Sequence, residues 1–161
     1  NMEGVFFYAG FAMMLALSRQ GKMVGIGEQF EFIMRDESVH LAFGCDVINT
    51  IRNDYPEVWT PEFAQKISPV VRQGVQYEQA YAFDSCPQGL LGINAVQFAA
   101  YVEYIADKRL ERIGLPKEYS TPNPFPWMAQ TMDLNKEKNF FETRVTEYQP
   151  CLLYTSDAPH E

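Results

Sequence analysis

The stretch RDESVHLAFG, residues 35–44, sets an aspartate, a glutamate and a histidine into a run that otherwise has the spacing of a core helix. A carboxylate moved out of water without a partner is costly, so a core that holds one must supply something to pair with it. Outward from this stretch, Phe30, Ile33, Glu37, His40, Gly44, Val47 and Ile51 follow one another at steps of three or four. That spacing predicts one continuous buried stripe on a long helix, with Glu37 and His40 in its middle. An upstream helix repeats the pattern with Glu3, Phe7, Gly10, Met14 and Leu17.

A metal ion removes the difficulty. Residues three apart are neighbours on a helix surface, so Glu37 and His40 can reach one ion or a close pair. Carboxylate oxygen with imidazole nitrogen suits iron, manganese or zinc rather than a thiol-loving metal. Inward-facing Glu-x-x-His, joined by single glutamates from other helices, is the pattern of di-metal carboxylate bundles. The motif by itself is weak, because with 14 Glu in 161 residues one of the two His acquires such a Glu by chance about one time in six. The second ligand-interrupted stripe, carrying Glu3, tips the balance toward a metal site. On spacing alone Asp36 reads as a solvated or hydrogen-bonded helix residue, and His160 as no ligand.

Four helical stretches are legible. The first runs from the start to about Arg19 and breaks at Gln20-Gly21; the second runs from about Val24 to Asn53 and stops before Tyr55-Pro56. Thr60-Pro61 opens a third, with threonine at N-cap and proline at the first helical position, ending near Asp84. A fourth spans about Ile93 to Ile113 and closes at Gly114. From Leu115 the composition changes: TPNPFPWM has three prolines in eight residues, and KEKNFFETRVTEYQ is a charged tail. Nothing alternates as a strand does, so the class is all-α.

Composition narrows the partners. The net charge is −8 and the 13 Lys and Arg form no long basic block, which argues against nucleic-acid binding. Residues 4–18 carry no charge, but they fall short of the ~20 residues that a membrane-spanning helix needs. Cys45, Cys86 and Cys151 lack CxxC spacing, which fits a reducing compartment and a cytoplasmic protein. Residue 1 reads as the middle of a helix, and the chain as a piece of a longer protein.

EGVFFYAGFA, RQGKMVGIGEQFEFIMRDESVHLAFGCDVIN, YVEYIADKRLERIGL, NPFPWM and KEKNFFETRVTEY span nearly all of residues 3–148. Together they resemble the C-terminal half of the class I ribonucleotide reductase small subunit, a ferritin-like di-iron helical bundle. The resemblance implies residues 1–115 as the second half of that bundle, 116–149 as a Pro-rich connector and radical-transfer tail, and 150–161 as a non-native tail. It implies Glu3, Glu37 and His40 as ligands of one iron, and Phe7, Phe11 and Ile33 as an apolar pocket shielding a tyrosyl radical. Asp36 becomes a hydrogen-bond partner of an iron-ligating histidine on the radical-transfer route, which replaces the reading from spacing. Glu142 and Tyr148 become tail residues that pass the radical to the large subunit.

The implied activity is O2-dependent radical formation at a di-iron centre, with manganese possible, followed by reduction of ribonucleoside diphosphates in the large subunit. The implied partners are that subunit and a second copy of the small subunit. The other ligands and the radical tyrosine belong to a preceding half; Tyr8 and Tyr101 read as packing residues. Two alternatives remain open: a di-iron oxygenase-like protein with the same ligands, and a metal-free helical segment without catalysis.

Overall fold

Proline, glycine and a few side-chain caps divide the chain. The computed structural model describes residues 2–131, with side chains from Gly4 to Ala129. Its helices are α1 (Met2–Val5), α2 (Tyr8–Arg19), α3 (Val24–Asp54), α4 (Pro61–Ser85), α5 (Ala95–Arg112) and α6 (Met128–Thr131). Among the described residues there is no strand, only an isolated bridge between Leu90 and Ile93. Thr60 Oγ1 accepts the Phe63 N–H at 3.2 Å with Pro61 at the first helical position, as the sequence predicts. Asn94 and Gln97 form a reciprocal capping box that starts α5. Gly114, at φ 77°, ends α5 in the left-handed conformation that glycine adopts without strain.

The first helix departs from expectation. Instead of running unbroken to Arg19, it is interrupted between α1 and α2, where Phe7 takes φ 75°. A bulky residue in that region is strained and persists only where its surroundings hold it there.

The α1–α2 segment lies antiparallel to α3. Close approaches at both ends fix this register: a methyl on Gly4 would sit 3.1 Å from Leu41 Cδ1, and one on Gly27 would collide with the Ser18 side chain. α5 carries the centre of the core, with Phe98, Tyr101, Val102, Ile105 and Leu110 buried against α2 and α4. Tyr8 and Tyr101 are fully packed residues, and burial holds the Tyr101 phenol far above its ordinary pKa. At the far end Arg52 of α3 donates from Nη1 to the Ile113 carbonyl at 2.8 Å, tying α3 to the end of α5.

The long stripe on α3 is not buried as a whole, contrary to the expectation from periodicity. Within the stripe Ile33 is 45% exposed and Val47 and Ile51 are also exposed, while the buried apolar side chains of α3, Met34 and Cys45, lie off it. α3 meets α1 and α2 on one side, and no described element covers its other side. Periodicity reports that a face is apolar; it does not report what lies on it.

The Pro-rich segment is irregular but packed. Phe125 and Met128 enter the core, and Phe125 contacts the rings of Phe98, Tyr101 and Trp127 at 5.3–5.7 Å. Asp107, 3% exposed on α5, anchors this segment. Its Oδ1 accepts the N–H groups of Glu118 (2.8 Å) and Tyr119 (3.1 Å), and its Oδ2 that of Ser120 (2.6 Å). Three bonds to one carboxylate tie this segment to α5. Asp107→Ala should destabilise the segment locally by about 3 kcal/mol, roughly a 100-fold faster exchange of those three amides. Hydrogen exchange measured residue by residue checks this, and unchanged protection at 118–120 would remove the tether from the account.

Candidate metal centre

The fourth and fifth turns of α3 bring Glu37 and His40 together because they are three residues apart on one helix. Glu37 Oε2 lies 3.7 Å from His40 Nδ1. Oε2 is buried and accepts no hydrogen bond among the described residues. Metal–ligand bonds of ~2 Å place two ligand atoms roughly 3–4 Å apart, so this pair fits a single ion. A buried carboxylate oxygen without a hydrogen bond beside an imidazole nitrogen is the donor set such an ion needs. The His40 side chain is 65% exposed, so the pair opens toward the uncovered face of α3.

Glu3 lies in α1, whose next residue, Gly4, abuts Leu41, the neighbour of His40. The fold therefore brings the Glu3 backbone to the Glu37/His40 turn; its side chain is outside the description. Among the described residues no group of three or more His, Cys, Asp or Glu converges as a complete ligand set. Asp36, on the same turn, is exposed, and Glu142 and Tyr148 lie outside the described residues.

Two of the three predicted apolar residues, Phe7 and Phe11, lie together. Phe7 and Phe11 have ring centroids 6.3 Å apart, and Phe11 meets Phe30 of α3 edge-on at 5.9 Å. A groove of about 520 Å³ runs along them, with Phe6, Tyr77, Glu78 and Tyr81 on its other walls. Ile33 is not part of this groove lining, and its exposed side faces away from the described packing.

Glu78 is the residue that sequence reasoning missed. It is 6% exposed on α4, and its Oε1 accepts the Ala9 N–H at 3.0 Å. Burial raises its pKa above the ordinary 4.5, against the opposing pull of the Ala9 and Phe7 N–H groups. The signal was present: Val71, Val75, Glu78 and Ala82 form a buried stripe at helical spacing, interrupted by a carboxylate just as α3 is by Glu37.

A family model described as "Ribonucleotide reductase, small chain" matches residues 1–124. This chain belongs to the ribonucleotide reductase small-chain family. It is 58% identical over 148 residues to the ribonucleoside-diphosphate reductase subunit beta of Chlamydia pneumoniae, covering 92% of this chain and 43% of that one. It is 39% identical over 161 residues to small chain 1 of Saccharomyces cerevisiae, covering 100% and 38%. The solved R2 subunit from Clostridium botulinum superimposes with a TM-score of 0.76 at 30% identity, covering 81% of this chain and 42% of that one. The small-chain family thus has the all-α, ferritin-like fold seen here, of which this chain forms part: it spans less than half the length of the curated relatives it matches. No helix among the described residues is long and apolar enough to cross a membrane.

The raised pKa of Glu78 gives a signed pH effect. The folded protein holds the Glu78 proton more tightly than the unfolded chain, so it binds more protons between the two pKa values. The stabilisation this gives is complete below the ordinary value of 4.5 and is lost as pH rises through the folded value. Gln at this position keeps the acceptor oxygen and cannot ionise. In a full-length small subunit in which this sequence replaces the matching segment of the C. pneumoniae relative, denaturant midpoints should move in favour of Glu78→Gln as pH rises above the ordinary value of 4.5. A difference that stays constant with pH, or moves the other way, would contradict the assignment.

Proposed function

We propose that this chain serves the small subunit of ribonucleoside-diphosphate reductase, supplying half of a di-iron site and the tail that passes oxidising equivalents to the large subunit. In this reading residues 1–115 are the second half of the ligand-bearing bundle, 116–149 the connector and relay tail, and 150–161 a non-native tail. The observation that carries the reading is the Glu37/His40 pair, 3.7 Å apart, with a buried carboxylate oxygen that accepts no hydrogen bond among the described residues. Family membership and the similarity to the C. pneumoniae subunit beta support it.

A di-iron centre, or one containing manganese, supplies O2-driven one-electron oxidation when bound. Glu37 and His40 would hold one of its ions, with Glu3 from the neighbouring helix. Anionic oxygen ligands favour the more oxidised metal by offsetting its added charge. Phe7, Phe11 and Ile33 would exclude water and reductants from the oxidised site, since a phenyl or sec-butyl side chain offers neither a proton nor an easily removed electron. Asp36 would orient a ligating histidine by accepting its second ring N–H. Glu142 and Tyr148 would act in transfer to the large subunit, in a cytoplasmic protein that pairs with a second small subunit.

Tyr148 separates this reading from an oxygenase-like one, because only the first needs a relay. Phenylalanine has nearly the same shape but no O–H, so it cannot lose a proton and an electron to give a neutral radical. In the full-length chimera, Tyr148→Phe should leave helix content, metal loading and oxidation of the buried centre unchanged. Nucleotide reduction with the cognate large subunit should fall at least 100-fold, on the order of the loss of a required transfer step. Absorption spectra and turnover measured on one preparation check this; turnover near its original level would remove the relay role and favour the oxygenase-like alternative.

A further inference from the structure

The break between α1 and α2 sits between the turn that carries Glu3 and the turn that carries Phe7 and Phe11. Nothing local explains it. Phe7 is the N-cap of α2 and offers no side-chain acceptor, yet it holds a left-handed conformation that a phenylalanine does not adopt unaided. The first N–H groups of a helix need acceptors from outside it. Ala9, at the second helical position of α2, finds one in Glu78 Oε1 at 3.0 Å, across 69 residues of sequence. On the other side of the break, Arg109 Nε donates to the Gly4 carbonyl at 2.9 Å, and the guanidinium lies 5.0 Å from the centre of the Tyr8 ring.

A carboxyl oxygen therefore caps the start of α2 and a guanidinium the end of α1. Both partners are supplied by other helices, Glu78 by α4 and Arg109 by α5. Glu78 also lines the same groove as Phe7 and Phe11.

We propose that Glu78 is a positioning residue: by capping α2 across the bundle, together with Arg109 on α1, it holds the helix break that sets the offset between the Glu3 turn and the Phe7/Phe11 wall. The proposal rests on the metal-centre reading above and adds to it a residue that touches neither metal nor substrate. Without the cap, Phe7 relaxes toward helical geometry. α1 and α2 then join, and a continuous helix turns Glu3 and Phe7 by a different angle about the axis. Either the ligand turn or the apolar wall must leave its place against α3.

The test uses the full-length chimera described above, as wild type, Glu78→Gln and Glu78→Ala. In the metal-free protein, Glu78→Ala should speed hydrogen exchange at the Ala9 amide roughly tenfold or more, the effect of a lost cap. Glu78→Gln, which keeps the acceptor oxygen, should restore protection. In the iron-loaded protein, Glu78→Ala should shift the absorption of the oxidised centre and speed its bleaching by hydroxylamine several-fold, again with rescue by Glu78→Gln. If Glu78→Ala does not fold, Glu78→Asp, whose carboxylate falls one methylene short of Ala9, is measured in its place and should show the same two changes. Unchanged Ala9 exchange overturns the capping role. Faster Ala9 exchange with an unaltered spectrum and bleaching rate overturns the positioning role and leaves a purely structural cap. A wild-type chimera that takes up no iron overturns the metal-centre reading itself, and this proposal with it, a result distinct from either of the others.

Discussion

How closely α1 can approach α3 decides which side chains meet at this end of the bundle. Glycine at position 4 lets the α1 backbone come within van der Waals reach of Leu41, so the turn carrying Glu3 abuts the turn carrying Glu37 and His40. At the opposite end Gly27 does the same for Ser18. Both contacts exclude a Cβ at ordinary distance. Helix pairs separated by larger side chains stand 8–10 Å apart, and ligands that must share an ion at ~2 Å tolerate little slack. The small residues therefore set the separation, and the turns carrying Glu3 and Glu37/His40 lie side by side as a consequence.

The approach carries a backbone cost. The chain enters α2 through a left-handed phenylalanine, a conformation worth of the order of 1–3 kcal/mol of strain. Glu78 and Arg109 offset it with hydrogen bonds from two other helices. Arg109 also stacks on Tyr8, whose buried hydroxyl has no hydrogen-bond partner among the described residues. The site end of the molecule is thus held by polar contacts spanning α1, α2, α4 and α5, and Arg52 and Asn49 farther along α3 bond the carbonyls that close α5.

Features written in adjacent residues were legible in the sequence. Thr60-Pro61 announces α4, Gly114 ends α5, and Glu37 with His40 at a spacing of three predicts the pairing found at 3.7 Å. Features that depend on distant partners were not. The break at Phe7 has no local signal, since its cap comes from 69 residues away. Asp107 gathers three amides from a segment that begins eleven residues later, where composition predicts only a connector. The α3 stripe shows a different limit, because an apolar face is visible in the spacing while its cover is not.

The central claim is that Glu37 and His40 hold a metal ion, and anomalous diffraction tests it most directly. Crystals of the full-length chimera, loaded with iron or manganese and measured on both sides of each absorption edge, locate the ion and identify the element. The account predicts an anomalous peak at about 2.0–2.2 Å from a Glu37 carboxylate oxygen and from a His40 ring nitrogen, with a Glu3 oxygen at similar range. A metal-loaded protein whose peaks all lie farther than about 4 Å from both side chains, beyond any direct coordination, would contradict it.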